Sequence, residues 1–330
     1  MAIKLACAFA TSISSHEHAR VAESLGYERA WFYDSPALLP DVWVQLCRAA
    51  EKTTRIGLGP GVLVPALRHP MANAAAIATL VSIAGAERVT IGIGSGFTGR
   101  VALGQRPMKW SHVREYITVL KTLLRGEQAE WEGSVLQMLH PAGYGSARPI
   151  VVPFLIAAAG SKGIAAAHEL ADGVFAVRVP IAGFRTSVVL TFGTVLEDGE
   201  DPGSARALAA AGHAAAVRFH AALERGQLGT VAEAETWAEA YASVPARIRH
   251  LALHDQHLIA INERDRPFVN GALLAKQGLA LSRAGWGECR AARVARCHRD
   301  RVSTRRTRYR ARTRDVCDSS ARLTRSYALR

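Results

Sequence analysis

Apolar and polar positions follow two periods along this chain, and the two periods take turns. Short apolar runs of strand length cover Ile3 to Ala10, Ala30-Trp31-Phe32-Tyr33, Arg55 to Val64, Arg88 to Gly94 and Ile150 to Ala158. Between them, apolar residues recur every three or four positions, the spacing of a helix with one buried face. The first such stretch is His16 to Leu25, with Ala19, Ala22 and Leu25 in phase. Ser14 and Ser15 stand where a cap belongs, and Gly26 where a helix stops. Asp41 caps a second helix over Val42 to Lys52. An Ala-rich helix follows over Asn73 to Ile83, then one over Ser111 to Leu124 and one over Lys162 to Leu170. Strands over Val174 to Val179 and Ser187 to Leu196 precede helices at Ala205 to Glu224 and Glu233 to Ala242.

Regular succession of strand and helix predicts an α/β fold with a parallel sheet and crossover helices. The sheet either stays open and doubly wound or closes into a (β/α)8 barrel, and the number of units over residues 1–281 suits the barrel. In both closures ligands bind where strands end and loops begin.

Charge changes the picture only at the carboxyl end. The net +13 is concentrated in residues 282–330, which carry 15 Arg, no Lys and the acids Glu288, Asp300, Asp315 and Asp318. Residues 1–281 are near neutral at +2, so the average basicity does not make the body a nucleic-acid binder. Cys7 and Cys47 lie in apolar runs and read as buried thiols of a reducing compartment. No apolar stretch reaches the ~20 residues of a membrane span. The expectation is a cytoplasmic protein with no membrane or nucleic-acid partner, a small-molecule substrate, and a homodimer left open.

Four places carry candidate chemistry. Gly92-Ile93-Gly94-Ser95-Gly96-Phe97-Thr98-Gly99 contains a G-x-G-x-x-G, but a polar loop follows instead of a helix, which argues against a dinucleotide fingerprint. It reads better as a strand end where backbone approaches a flat ligand. Ala157-Ala158-Ala159-Gly160-Ser161-Lys162-Gly163 leads from a strand into a helix whose N-terminus suits a phosphate; a plain capped turn is the bland alternative. Asp34-Ser35 ends an aromatic strand, as a ligand-orienting carboxylate or as a turn residue. His69, between Arg68 and Pro70, is a loop anchor first and a proton carrier second, and Asp41 is a weaker proton-delivery candidate.

These residues carry a resemblance. Val62 to Gly99, with Arg68-His69-Pro70, Ala74-Ala75-Ala76-Ile77-Ala78-Thr79-Leu80 and Ile91-Gly92-Ile93-Gly94-Ser95-Gly96, resembles the luciferase-like monooxygenase superfamily, within it the F420-dependent methylenetetrahydromethanopterin reductase branch. Asp34, Ala159-Gly160 and Ala171-Asp172-Gly173 fall in matching order. The resemblance spans Ile3 to Gln277 and is thin after Arg178. It implies a TIM-type barrel holding coenzyme F420, favoured here, or FMN. It implies Asp34 beside the cofactor ring, a non-prolyl cis peptide at Gly61-Val62, Ser95 and Gly96 along the cofactor channel, and Ala159, Gly160, Lys162 and Gly163 at the phosphate. Asp34, Ser35 and His69 are the catalytic candidates, and no metal ligands are assigned. Sugar-phosphate-oxidising relatives have His at the position of Ser35 and an acid at that of Phe97, so that chemistry is not expected.

The resemblance also implies a last strand and closing helix beyond Gln277, where this chain has scattered Arg without apolar period. The expectation is a barrel domain over 1–281 with an incomplete last strand and helix. Residues 282–330 then form a disordered tail, produced by a frameshift in a GC-rich gene. Cys289, Cys297, Cys317 and His298 lack zinc-ligand spacing. The expected function is hydride transfer between F420 and a small organic substrate. The alternatives are an FMN-dependent monooxygenase using O2, a Rossmann NAD(P) dehydrogenase, a basic-tail nucleic-acid-binding protein and a catalytically defective barrel.

Overall fold

The computed structural model describes residues 4–285. The readings made for the tail beyond residue 285 lie outside those residues. The described chain forms two compact units.

The first unit comprises Lys4–Arg100 and Arg106–Leu190. Its elements are β1 (Ala6–Phe9), α1 (Ser15–Ser24), β2 (Arg29–Phe32), α2 (Val42–Lys52), β3 (Gly57–Pro60), α3 (Pro70–Ala84), β4 (Ile91–Gly94), the short α4 (Phe97–Val101, its last residue beyond the unit), α5 (Trp110–Arg125), β5 (Ala129–Trp131), β6 (Ser134–Leu136), β7 (Phe154–Ala157), α6 (Ser161–Leu170), β8 (Gly173–Val177) and β9 (Thr186–Leu190). β1, β2 and β3 form one parallel ladder, and β4, β7, β8 and β9 another. Bridges Leu58–Val89 and Leu63–Ile93 join the two. This is the parallel-strand order of a TIM-type (β/α)8 barrel. Among the described residues no ladder pairs β9 with β1.

Strand alternation sorts the side chains. Ala30, Phe32, Leu58, Ile91, Ile93, Phe154, Ile156 and Val174 face the helices and are buried with Leu46, Ile77, Leu80, Ile117 and Leu120. On the other face Trp31, Leu155 and Phe175 cluster with Ala8, Val62, Ala157, Val188 and Leu190. The neighbours of β2 make room for its large side chains by having none. A Cβ on Gly57 would lie 2.6 Å from the Arg29 guanidinium carbon. One on Gly59 would lie 3.1 Å from the Trp31 ring and 1.9 Å from the Thr90 carbonyl oxygen.

Several boundaries differ from the periodicity. The third strand is short because the chain leaves the ladder at Gly61, where the peptide to Val62 is cis. The fifth expected strand begins only after Pro153, since prolines 149 and 153 have no N–H to give to a ladder. α3 begins three residues earlier than expected, with Pro70 in its first turn and His69 Nδ1 accepting from the Met71 N–H at 3.1 Å. The β5–β6 hairpin was not expected; Glu132 and Gly133 at its turn both have positive φ, as a tight two-residue hairpin requires.

The second unit holds Val101–Gln105 and the described chain from Thr191 onward. It contains β10 (Thr194–Val195), α7 (Ala205–Glu224), α8 (Ala234–Glu239), α9 (Arg249–Leu253), α10 (Gly271–Lys276) and β11 (Ala280–Leu281), with β10 parallel to β11. The expected strand over Ser187 to Leu196 is thus two, broken at Gly193 (φ 136°). Buried Trp237 and Tyr241 donate to Asp265 Oδ1, each at 2.8 Å. No helix among the described residues is long and apolar enough to cross a membrane.

The packing at Gly59 makes a direct prediction. Gly59→Ala should destabilise the fold by about 1–3 kcal/mol through overpacking against backbone. A lowered urea midpoint at unchanged slope checks this, and a wild-type midpoint contradicts the packing account.

Candidate active site

Parallel register sets the strand ends side by side. Phe32 is level with Pro60, Gly94 with Ala157, and Ala157 with Phe175. The residues after β2, β3, β4 and β7 therefore share one edge of the sheet: Asp34-Ser35, Gly61-Val62, Ser95-Gly96 and Ala159-Gly160. Lys162 and Gly163 follow in the first turn of α6. Backbone bonds tie this edge together, with Gly61 N–H on Phe32 O at 2.8 Å, Leu63 N–H on Gly92 O at 2.8 Å and Met108 N–H on Ser95 O at 2.8 Å.

The centre of the edge is an ion-pair fork that the sequence did not disclose. Asp34 is buried, and both its oxygens accept from Arg68 Nη1 at 2.8 Å. Arg68 Nη2 donates to Asp41 Oδ2 at 2.8 Å, while Asp41 Oδ1 caps α2 by accepting from the Trp43 and Val44 N–H groups. The Arg68 carbonyl accepts from the Tyr116 hydroxyl at 2.9 Å. That hydroxyl takes the Asn73 amide at 2.7 Å, and Asn73 accepts from the Trp43 indole at 2.9 Å. Burial pushes the Asp34 carboxyl above its ordinary value, against the downward pull of Arg68 and a Val64 N–H. At Asp41 burial also acts upward, but the Arg68 and backbone hydrogen bonds outweigh it and hold the carboxyl low.

Internal packing requires glycine at several of these strand ends. A Cβ on Gly61 would meet Trp31 Cβ at 3.0 Å, one on Gly92 the Pro60 carbonyl at 2.6 Å, and one on Gly96 the Val64 Cγ1 at 2.3 Å. Internal side chains and backbone thus leave no room for a Cβ at these positions. Gly160 is the exception. It has open space around a built Cβ, and its φ of −102° suits any residue. It precedes α6 with no side-chain cap.

His69, exposed, spends Nδ1 on the helix cap. Ser35 is buried, and its carbonyl accepts from the Leu38 and Leu39 N–H groups. A cleft of about 620 Å3 opens nearby, lined by Arg68, His69, Arg100, Arg106, Lys109 and Tyr116 among others. Of the residues singled out for catalysis or cofactor binding, only His69 lines it. Arg68 could have been suspected from its place beside His69, but its partners lie 34 and 27 residues away in sequence. Burial pushes the thiol of the half-buried Cys7 up to about 12.

Without Arg68 the Asp34 charge is buried and unmatched, and its pKa rises further. The folded chain then holds that proton more tightly than the unfolded one, whose value is near 3.8. Arg68→Ala should cost about 3–5 kcal/mol at pH 8 and less as the pH falls toward 4 and the carboxyl is protonated. Urea unfolding at both pH values checks this, and an equal loss at both rejects the buried-charge account.

Comparison with known proteins agrees with this architecture. The chain is 32% identical over 161 residues to 5,10-methylenetetrahydromethanopterin reductase of Archaeoglobus fulgidus, a match covering 48% of this chain and 47% of the relative. It is 36% identical over 146 residues to an F420-dependent glucose-6-phosphate dehydrogenase of Beutenbergia cavernae, covering 42% and 41%. The matches thus span about half the length of these curated relatives or less. The solved coenzyme F420-dependent tetrahydromethanopterin reductase of Methanopyrus kandleri has the same fold, with a TM-score of 0.53 at 23% identity over 86% of this chain and 93% of that one. The family model described as luciferase-like monooxygenase matches residues 14–287, nearly the whole described structure. By that match and its strand order, the chain belongs to the luciferase-like monooxygenase family.

Proposed function

We propose that this chain is an oxidoreductase that binds a flavin-type cofactor at the carboxyl ends of β2, β3, β4 and β7 and transfers a hydride between it and a small organic substrate. The observation that carries the reading is Gly160. Neither packing nor backbone conformation calls for glycine there, so close approach of a ligand to the backbone is the remaining physical reason for it. The buried Trp31 indole N–H, without a hydrogen-bond partner, is a second feature that a polar ring atom would satisfy. F420 is favoured over FMN because the glucose-6-phosphate dehydrogenase relative is F420-dependent.

When bound, the cofactor supplies a ring that accepts or donates a hydride. The first-turn N–H groups of α6, with Lys162, would hold its phosphate. Gly61-Val62 and Ser95-Gly96 would line its ring. Asp34 anchors Arg68 and so fixes the loop after β3. His69, whose Nδ1 accepts from Met71, carries its movable proton on Nε2. The basic cleft beside it suits an anionic substrate group.

Fluorescence titration of the full chain with F420 and with FMN tests the reading. F420 should bind. Gly160→Ala should weaken it roughly tenfold, about 1.4 kcal/mol, at an unchanged melting temperature. Lys162→Ala should weaken it in a salt-dependent way. Binding of FMN instead, with O2 consumption, turns the reading to a monooxygenase. Binding of neither by folded protein overturns it.

A further inference from the structure

The second unit buries a cluster of imidazoles that the barrel chemistry does not use. His220 lies on α7, His254 caps the end of α9, and His257 follows in the next turn. All three are no more than 2% exposed. One ring nitrogen of each lies within 4.8 Å of one of each other. Sequence holds only a faint trace of this, the spacing of His250, His254 and His257, with His220 thirty-four residues before His254.

Three features distinguish the cluster from histidines that merely fill a core. First, His220 already has the orientation of a ligand. Its Nε2 lies 2.9 Å from Asp265 Oδ2, and Asp265 is itself held by Trp237, Tyr241 and the Asn262 side chain. An imidazole that donates one N–H to a fixed carboxylate presents the lone pair of the other nitrogen, and metal-bound histidines are oriented in this way. For His220 that other nitrogen is Nδ1, which faces His257 Nδ1 at 2.8 Å. Second, neither ring nitrogen of the buried His254 makes a hydrogen bond, although its Nε2 lies 3.4 Å from Glu224 Oε1. A buried polar atom left without a hydrogen bond carries a desolvation cost that an ion would repay. Third, the chain bends sharply to hold His257 inside, for the non-glycine neighbours Gln256 and Leu258 both have left-handed backbone, at φ 58° and 64°. The neutral imidazole is the ligating form.

We propose that His220, His254 and His257 form a binding site for one divalent transition-metal ion of the zinc class, with Asp265 as the outer carboxylate that orients His220. Three imidazoles leave a fourth position for water in a tetrahedral shell. The 2.8 Å between His220 Nδ1 and His257 Nδ1 is shorter than two ligands of one ion allow. On binding, His257 takes the tautomer with its proton on Nε2, which frees Nδ1, and the rings part by about 0.5 Å to bring both nitrogens to ~2.0–2.1 Å from the metal. The ion ties α7 to the turn after α9 across more than thirty residues of sequence, and its role is to fasten this unit.

The test uses the full chain, stripped of metal under native conditions and shown by circular dichroism to be folded. Cobalt(II) and zinc(II) are titrated in, with elemental analysis of the dialysed product. The expected result is an ion whose cobalt form has the visible bands of a tetrahedral nitrogen and oxygen shell, without the near-ultraviolet absorption that Cys289, Cys297 or Cys317 thiolates would add. His254→Gln should abolish those bands, Asp265→Asn should weaken cobalt binding roughly 10–100-fold, and a His140→Gln control should bind as wild type. Zinc should raise the wild-type melting temperature and leave that of His254→Gln unmoved. Folded wild-type protein that shows no such cobalt bands overturns the proposal, and so does equal uptake with the same spectrum by His254→Gln. If His254→Gln fails to fold, the wild-type cobalt spectrum and the Asp265→Asn affinity decide between the same two results.

Discussion

One guanidinium holds the candidate site in register. Arg68 reaches from the loop after β3 to Asp34 after β2 with one nitrogen, and to Asp41 at the start of α2 with another. A carboxylate as buried as Asp34 is tolerated only with a counter-charge and hydrogen bonds around it. Arg68 can meet that demand only if its own backbone is fixed, and the Tyr116, Asn73 and Trp43 chain fixes it from α5, α3 and α2. Charge matching thus determines where two strand-end loops lie, and a pocket wall is the result. The same fork commits both Asp34 oxygens as acceptors from a permanent cation. Of the other acid–base candidates, His69 is exposed with Nδ1 on the helix cap, and Ser35 lies in a buried loop.

Inside the parallel sheet, size takes over from charge. β2 carries Arg29 and Trp31 on its inward face, and β3 with the residue after it answers with Gly57, Gly59 and Gly61. The total volume of a barrel interior is limited, so large residues on one strand require small ones on the next. This explains most glycines of the strand ends without a ligand and makes Gly160, which no such neighbour explains, more informative than a fingerprint of several glycines.

The second unit solves a different problem. Its core gathers Phe219, Trp237, Tyr241 and Leu253 around a polar centre at Asp265. A carboxylate is tolerated there because an indole, a phenol and an imidazole all donate to it, and its own backbone N–H is held by the Asn262 side chain. Burial acts upward on its pKa, but the His220, Trp237 and Tyr241 hydrogen bonds outweigh it and keep it low. Such a saturated centre orients the histidine beside it.

Much of the first unit could be read in one dimension. The succession of short apolar runs and amphipathic helices announced a parallel α/β sheet, and Asp41 marks a helix start by local chemistry that needs no distant partner. The Gly61-Val62 cis peptide was anticipated from resemblance, and the residues at the strand tips do share one edge. What could not be read was every relation between side chains far apart in sequence: Arg68 with Asp34, Gly59 with Trp31, His220 with Asp265. Where a strand would stop was also hidden when prolines or a break at Gly193 cut an apolar run. A period in the sequence records which face of an element is apolar, because that depends only on the residue's own turn or pleat. Which charges, volumes and lone pairs meet across elements depends on register and packing, and those exist only once the chain has folded.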